Sequence, residues 1–388
     1  MGSTSPSPPG LPDASSPTLI LMHPTPAERQ RTWSLTHPKW GGALEHDDYL
    51  AREQHLTETP LTKDGGITHW ILTDSSLPPD QRPILSSCES LRKRAVASSP
   101  SDATKLQDGI AHGICSVFTD PQFRGRGYAS RMMRDLGGRL KEWQGESLFS
   151  VLYSDIGKAF YARHGWAPFE SAHLAFPPSR DAKTSGGGDS SLRLLKSPDE
   201  VVELCAADEK LLRRTIIQRT TSQKGKRRCV ALLPDERTLR WHLMREDFMT
   251  EHIFGRTTEI RGAVYGSEEG KRLWAVWARG YYGGLQNTEG NALHILRFVV
   301  EDESLDESYL VQGAREIIEV AQREAAEWKS EDVQMWNPTD KVRELIDRSE
   351  LEYEFVDRDS ESITSLMWYG EEETADLDWV ANEKYAWC

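Results

Sequence analysis

Six consecutive residues have the types and spacing to hold a phosphate group: Gln122-Phe123-Arg124-Gly125-Arg126-Gly127, followed by Tyr128 and Ala129. Two glycines permit a tight turn and let the backbone approach an anion with no Cβ in the way. A helix opening directly after them offers unpaired N–H groups and the positive end of its dipole. Arg124 and Arg126 add charge inside the turn. This is not a Walker loop, because no Gly-Lys-Ser/Thr follows, nor a dinucleotide fingerprint, because Arg131 stands where a third glycine belongs. The alternative to phosphate binding is a plain β-to-α turn.

The flanking segments supply what such a loop needs. An apolar strand, His112 to Phe118, precedes the turn, and a helix-patterned segment, Tyr128 to Trp143, follows it. A short apolar strand, Leu148 to Tyr153, then leads into Ser154-Asp155-Ile156-Gly157-Lys158-Ala159-Phe160-Tyr161-Ala162-Arg163-His164-Gly165-Trp166. The spacing Gln-x-x-Gly-x-Gly between strand and helix, and Phe-Tyr-x-x-x-Gly-aromatic before a last strand, resemble the two signatures of the GNAT superfamily of acyl-CoA N-acyltransferases. With a long C-terminal half and a tail running Trp379-Val380-Ala381-Asn382-Glu383-Lys384-Tyr385-Ala386-Trp387-Cys388, the chain is similar to the fungal lysine N6-acetyltransferase group.

The resemblance implies acetyl-CoA as co-substrate and a small amine as acceptor, with direct attack in a ternary complex. It places the cofactor against Val117 and Phe118, on the loop Gln122, Phe123, Arg124, Gly125, Arg126, Gly127, Tyr128 and Ala129, and near Ser154. Tyr161 stands at the position of the general acid that protonates the leaving thiolate; its other reading is a core aromatic packed on Phe160. A base must take a proton from an amine whose free pKa is near 10.4. His112, His69 and Asp120 are the candidates, each equally readable as a structural residue. Trp379, Tyr385 and Trp387 predict that the tail docks on the body. In the related fold of N-myristoyltransferases a C-terminal carboxylate serves as base, so Cys388, or Glu383, is a further candidate; the alternative is a tail that only covers an apolar patch. Trp274, Trp277, Tyr281 and Tyr282 read either as a cation–π cleft or as core, and Gly280 to Gly284 as a mobile turn. The run Lys224 to Arg228 reads as a solvated loop.

Length and composition bound the rest. A chain of 388 residues predicts two or three domains. The net charge of −14 argues against a dedicated nucleic-acid binder and fits a cationic substrate or simple solubility. Five scattered cysteines without CxxC spacing read as reduced thiols, with no metal site. No run approaches the roughly eighteen apolar residues of a membrane helix, and no signal pattern opens the chain, so the expected location is cytoplasmic. The fold class is α/β (an α+β mixed sheet): a disordered arm over 1–17, a catalytic GNAT domain over 18–176, a linker over 177–191, a degenerate GNAT-like substrate or lid domain over 192–370, and a docked tail over 371–388. In the second half Glu301 to Glu307 replaces the glycine turn, and its acids repel a pyrophosphate. Lysine, another amine (a protein lysine, polyamine or amino sugar), or a non-catalytic CoA-sensing or scaffold role all remain open at this level.

Overall fold

The computed structural model describes residues 10–99, 102, 104–179, 191–223 and 227–388. The N-terminal half runs β1 (Leu19–Met22), α1 (Pro26–Trp40), α2 (His46–Leu56), β2 (Ile67–Asp74), β3 (Ser86–Ser98), β4 (Leu106–Phe118), α3 (Tyr128–Leu140), β5 (Ser147–Ser154), α4 (Ala159–Ala162), β6 (Ala167–Pro168) and β7 (Ala172–Phe176). The C-terminal half continues with β8 (Leu192–Leu195), α5 (Pro198–Ser222), β9 (Cys229–Leu232), α6 (Glu236–Phe254), β10 (Gly262–Tyr265), β11 (Leu273–Gly280) and β12 (Ala292–Val300). It ends with α7 (Glu307–Glu327), β13 (Asp332–Trp336), α8 (Asp340–Arg348), β14 (Glu354–Asp357), β15 (Ile363–Trp368) and β16 (Asp378–Trp379).

Local rules account for the elements that matter to the site. Helix α3 buries Tyr128, Met132, Met133, Leu136 and Leu140, a stripe at helical spacing that faces the first sheet. Thr25 and Ser197 open α1 and α5 with capping boxes to Glu28 and Glu200, each followed by proline at the first helical position. Strand β11 is buried along its whole length, as expected of a central strand covered on both faces.

The two sheets exchange strands. The first has the order β1-β2-β3-β4-β5-β15-β6, with β9 added on β3 and β16 on β9; the second has the order β14-β7-β13-β12-β11-β10-β8. Strand β7 thus leaves the N-terminal half to pair with β13 and β14, while β15 returns to lie antiparallel on β5, from Ile363 opposite Ser154 to Trp368 opposite Phe149. One apolar cluster joins Ala111, Phe149 and Val151 of the first sheet to Trp274, Val276 and Leu296 of the second, and to Trp379 and Tyr385 of the tail. Strand pairing and a shared core thus cross between 18–176 and 192–370 in both directions.

Residues 1–9 lie outside the described residues, but 10–17 are held on α3: Tyr128 donates to the Pro12 carbonyl (2.6 Å), and Arg131 to those of Ala14 and Ser16 (3.0 and 3.2 Å). The linker expected over 177–191 falls largely outside the described residues. The tail packs on the body. Leu377, Trp379, Val380, Tyr385 and Ala386 are buried, Tyr385 donates to the Leu232 carbonyl (2.7 Å), and buried Lys93 donates to those of Ala386 and Trp387 (2.8 and 3.1 Å). Among the described residues no helix is long and apolar enough to cross a membrane.

Candidate active site

The site begins where β4 and β5 part. They pair in parallel from Ile110 opposite Ser147 to Ile114 opposite Leu152, and the ladder ends there although both strands run on. Past that point β4 carries a bulge, in which Ser87 pairs with Phe118 but Glu89 with Cys115, and Ser116 takes a positive φ of 53°. The result is a free backbone edge, Cys115 to Phe118, along one side of a wedge.

At the end of this edge lies the glycine turn. Gly125 and Gly127 have φ of 78° and 82°, the left-handed region that glycine enters without strain. A Cβ on Gly125 would meet nothing within 4 Å, so its surface is open. Gly127 starts α3 with no side-chain cap, which leaves the helix's first N–H groups for an anion. By contrast α7, at the matching place in the second half, is closed by its own Asp306, which accepts from Ser308 and Tyr309 N–H. Glu301 there is held by Arg272 at 2.7 Å. The chain therefore has one open cradle and one filled by its own carboxylates, as the acids of Glu301 to Glu307 predicted.

A cavity of about 1160 Å³ extends from the wedge towards the second sheet. Val117, Phe118, Arg124 and Ala129 line it on the cradle side. Arg124 is aimed by a hydrogen bond to the Thr119 carbonyl (3.0 Å) and by the Phe118 ring beneath it. Gln122 binds Asp120 at 2.8 Å, Phe123 packs with the α3 cluster, and Arg126 stays on the turn. Tyr128 is a packing residue, buried and bonded to Pro12.

Deeper in, three groups have acid–base chemistry. Tyr161, on α4, is 7% exposed and lines the cavity; burial pushes its phenol well above the usual range, so it keeps its proton at neutral pH. Glu89 on β3 and His69 on β2 face each other in the ladder, with Nδ1 of His69 3.0 Å from the carboxylate. Burial raises the pKa of Glu89, but hydrogen bonds from His69, Ser116 and Trp33 outweigh this and hold it below the usual value. With Nδ1–H donating to Glu89, Nε2 of His69 is an acceptor, and it has no partner among the described residues. An imidazole oriented by a buried carboxylate is a standard general-base arrangement. Glu89 escaped the sequence reading because a single carboxylate in a mainly apolar strand carries no spacing signal.

The tail forms another wall. Cys388 lines the cavity, its Sγ lying where a Cβ on Gly113 would approach to 2.7 Å, so residue 113 must lack one for the tail to seat. Lys384 is buried with Nζ 4.0 Å from the Trp336 ring and 4.2 Å from that of Trp387. The Arg358 guanidinium lies 3.9 Å from the same Trp336 ring. His173, His294 and Gln334 of the second sheet complete this end.

Several expected site residues lie elsewhere. His112 is fully buried and does not line the cavity; its Nε2 meets the Trp143 carbonyl at 3.1 Å, and burial drops its pKa to about 4. His112 lies where β4 is still paired with β5, before the wedge opens. Ser154 spends its hydroxyl on the β5–α4 turn, donating to the Gly157 carbonyl at 2.7 Å and accepting from Ile156 N–H at 3.2 Å. Asp120 caps the short turn before the glycines. Glu383 anchors the tail, accepting from Arg297 and from Phe298 N–H. Trp274, Trp277 and Tyr281 are core, and of the four aromatics only Tyr282 lines the cavity. Residues 224–226 lie outside the described residues, and Arg228 is paired with Glu372 at 2.7 Å.

Comparison with known proteins agrees with this architecture. Residues 173–388 match the family model described as LYC1 GNAT-like C-terminal domain, and residues 109–169 match Acetyltransferase (GNAT) domain. A lysine acetyltransferase of Yarrowia lipolytica is 24% identical over 297 residues, 66% of this chain and 71% of that relative. An uncharacterized protein of Saccharomyces cerevisiae is 27% identical over 185 residues, 40% of this chain and 45% of that relative. A probable N-acyltransferase structure from Enterococcus faecalis superposes with a TM-score of 0.52 at 10% identity, over 90% of this chain and 72% of that one. The Saccharomyces cerevisiae N-myristoyltransferase with bound myristoyl-CoA gives 0.51 at 10% identity, over 95% and 82%. At such identities the structural likeness is one of fold alone. The open glycine cradle and the C-terminal match over more than half of the chain make this protein an N-acetyltransferase of the GNAT superfamily, in the family with a LYC1 GNAT-like C-terminal domain.

Proposed function

We propose that the protein transfers the acetyl group of acetyl-CoA to the amine of lysine or a similar small amine, by direct attack while both substrates are bound. One observation supports the mechanism: His69, oriented by Glu89, and the protonated phenol of Tyr161 line the same cavity, which opens onto the wedge between β4 and β5. In this reading the cradle Gln122 to Ala129 holds the CoA phosphates, and the free edge Cys115 to Phe118 pairs with the pantetheine arm. When bound, the thioester supplies the acyl group. His69 Nε2 takes the proton that the ammonium must lose, directly or through a water, and Glu89 stabilises the imidazolium that forms. Tyr161 gives its proton to the departing thiolate. Cys388 shapes the wall against β4. A cytoplasmic location fits the five free thiols.

The test is thiol release from acetyl-CoA against lysine, ornithine, a polyamine, glucosamine and a lysine-containing peptide. Turnover of lysine or ornithine supports the reading. Activity confined to the peptide moves the function to protein acetylation. Silence on every amine with acetyl-CoA still bound favours a CoA-sensing role.

A further inference from the structure

The wall opposite the cradle holds buried cationic side chains that make no ion pair among the described residues. Three buried arginines elsewhere are matched: Arg279 by Glu246 and Glu324, Arg261 by Glu246 and Asp247, Arg297 by Asp208 and Glu383. Arg358 is 8% exposed and spends Nη1 on the Ala172 carbonyl (3.0 Å) and His173 Nδ1 (3.3 Å). Its Nε and Nη2 have no partner among the described residues. Lys384 is 6% exposed, and among the described residues its Nζ makes neither hydrogen bond nor ion pair, resting only on the rings of Trp336 and Trp387. Arg245, half-buried between Tyr282 and Trp387, has no carboxylate within ion-pair distance among the described residues.

Burial, with repulsion from Arg358 and Arg245, pulls Lys384 far below its usual pKa, and burial lowers Arg358 to about 10. A buried unpaired cation is strongly destabilising. Two side by side on one indole, both lining the cavity, make sense when the counter-charge arrives with a ligand. The free pair on Arg358 is also specific: Nε and Nη2 form the side-on fork that meets the two oxygens of a carboxylate.

We propose that Arg358 and Lys384, on the Trp336 platform, form a subsite for the carboxylate of the acceptor, which is therefore a free amino acid with an amine at the end of its side chain. This rests on the acetyltransferase reading above and narrows it. The acid end docks at the second sheet, and the side chain carries the amine across the cavity towards His69 and Tyr161. A polyamine and an amino sugar have no carboxylate to offer. A residue inside a protein chain has its carboxylate consumed in a peptide bond.

The experiment compares lysine with lysinamide and cadaverine, which keep the terminal amine and lose the carboxylate. In the unaltered protein, lysine should exceed both in kcat/KM by roughly 10- to 100-fold, mainly through KM, the range expected for losing a charge-assisted hydrogen bond. In R358Q and in K384M that preference should collapse. This analogue series needs no variant, so it stands if a variant fails to fold. Equal use of lysine and lysinamide by the unaltered protein overturns the proposal. So does a preference that survives both variants, or a loss in KM for acetyl-CoA in place of lysine, which would assign the cations to a CoA phosphate. If no amine is acetylated, calorimetric titration with lysine separates the two ideas. Lysine binding that lysinamide does not reproduce keeps the carboxylate subsite while the catalytic reading fails, and no lysine binding removes the subsite.

Discussion

Nδ1 of His69 lies 3.0 Å from the Glu89 carboxylate, the two residues standing opposite each other on antiparallel β2 and β3. Because the register pairs them directly, no loop motion is needed to bring them together. Ser116, displaced by the bulge in β4, donates to the same carboxylate at 2.9 Å. The feature that frees the β4 edge also helps hold the carboxylate that orients His69.

Replacing Glu89 by Gln keeps the shape and removes the charge. The expected outcome is a fall in kcat of about 100-fold, within the range general-base catalysis supplies. The acetyl-CoA dissociation constant should barely move. Steady-state kinetics beside calorimetric CoA titration decides it; a matching loss of CoA affinity would mean that Glu89 supports the wedge rather than the base.

Tyr161→Phe should lower kcat by about 10- to 100-fold while acetyl-CoA still binds. Since burial holds the phenol protonated, the loss should be the same at pH 7 and pH 9. A rate equal to that of the unaltered enzyme across this range rules out the acid role.

Gly125→Ala tests the cradle. An L residue at φ of 78° costs about 1–2 kcal/mol, and the added methyl projects into the open space the phosphates need. KM for acetyl-CoA should rise by about tenfold or more with kcat little changed, measured at saturating amine.

His112 contributes to stability in place of catalysis. Its pKa falls from 6.5 to about 4 on folding, so between those values the unfolded chain binds more protons than the folded one. Stability is then complete above about pH 6.5 and erodes as pH falls towards 4, by up to about 3 kcal/mol from this one residue. His112→Gln, which can still donate to the Trp143 carbonyl, should flatten that part of the curve. Urea unfolding at pH 7, 5.5 and 4.5 measures the difference.

Glu383→Ala leaves Arg297 buried with Asp208 alone and removes the acceptor of the Phe298 N–H. Breaking one partner of a buried ionic group costs about 3–5 kcal/mol. A clear fall in Tm, with faster proteolysis of the tail, is the expected result.

What the sequence reveals here follows from how local each constraint is. Gly125 and Gly127 are legible because left-handed backbone demands glycine, and α3 because its apolar stripe repeats at helical spacing. The strand Ile363 to Trp368 is legible as a strand, but nothing local says which sheet it joins. Glu89, Arg358 and Lys384 are invisible for the same reason: their roles come from which charges tertiary packing leaves paired or unpaired. Helix α6, which carries Arg245, has a local signal of another kind. Asp235 caps its start and Gly255 ends it in the left-handed conformation, a start-and-stop pair the chain does display.

The exchanged strands bear on how the chain comes into being. On the ribosome β5 emerges early, yet the strand that covers its edge is made only after more than half of the chain's length has followed. Until then the growing protein exposes a bare hydrogen-bonding edge and an apolar trough awaiting the tail, a template for wrong partners. Nonsense truncations should therefore yield aggregates in place of a smaller working enzyme, and folding should be slow, gated by the longest-range contact.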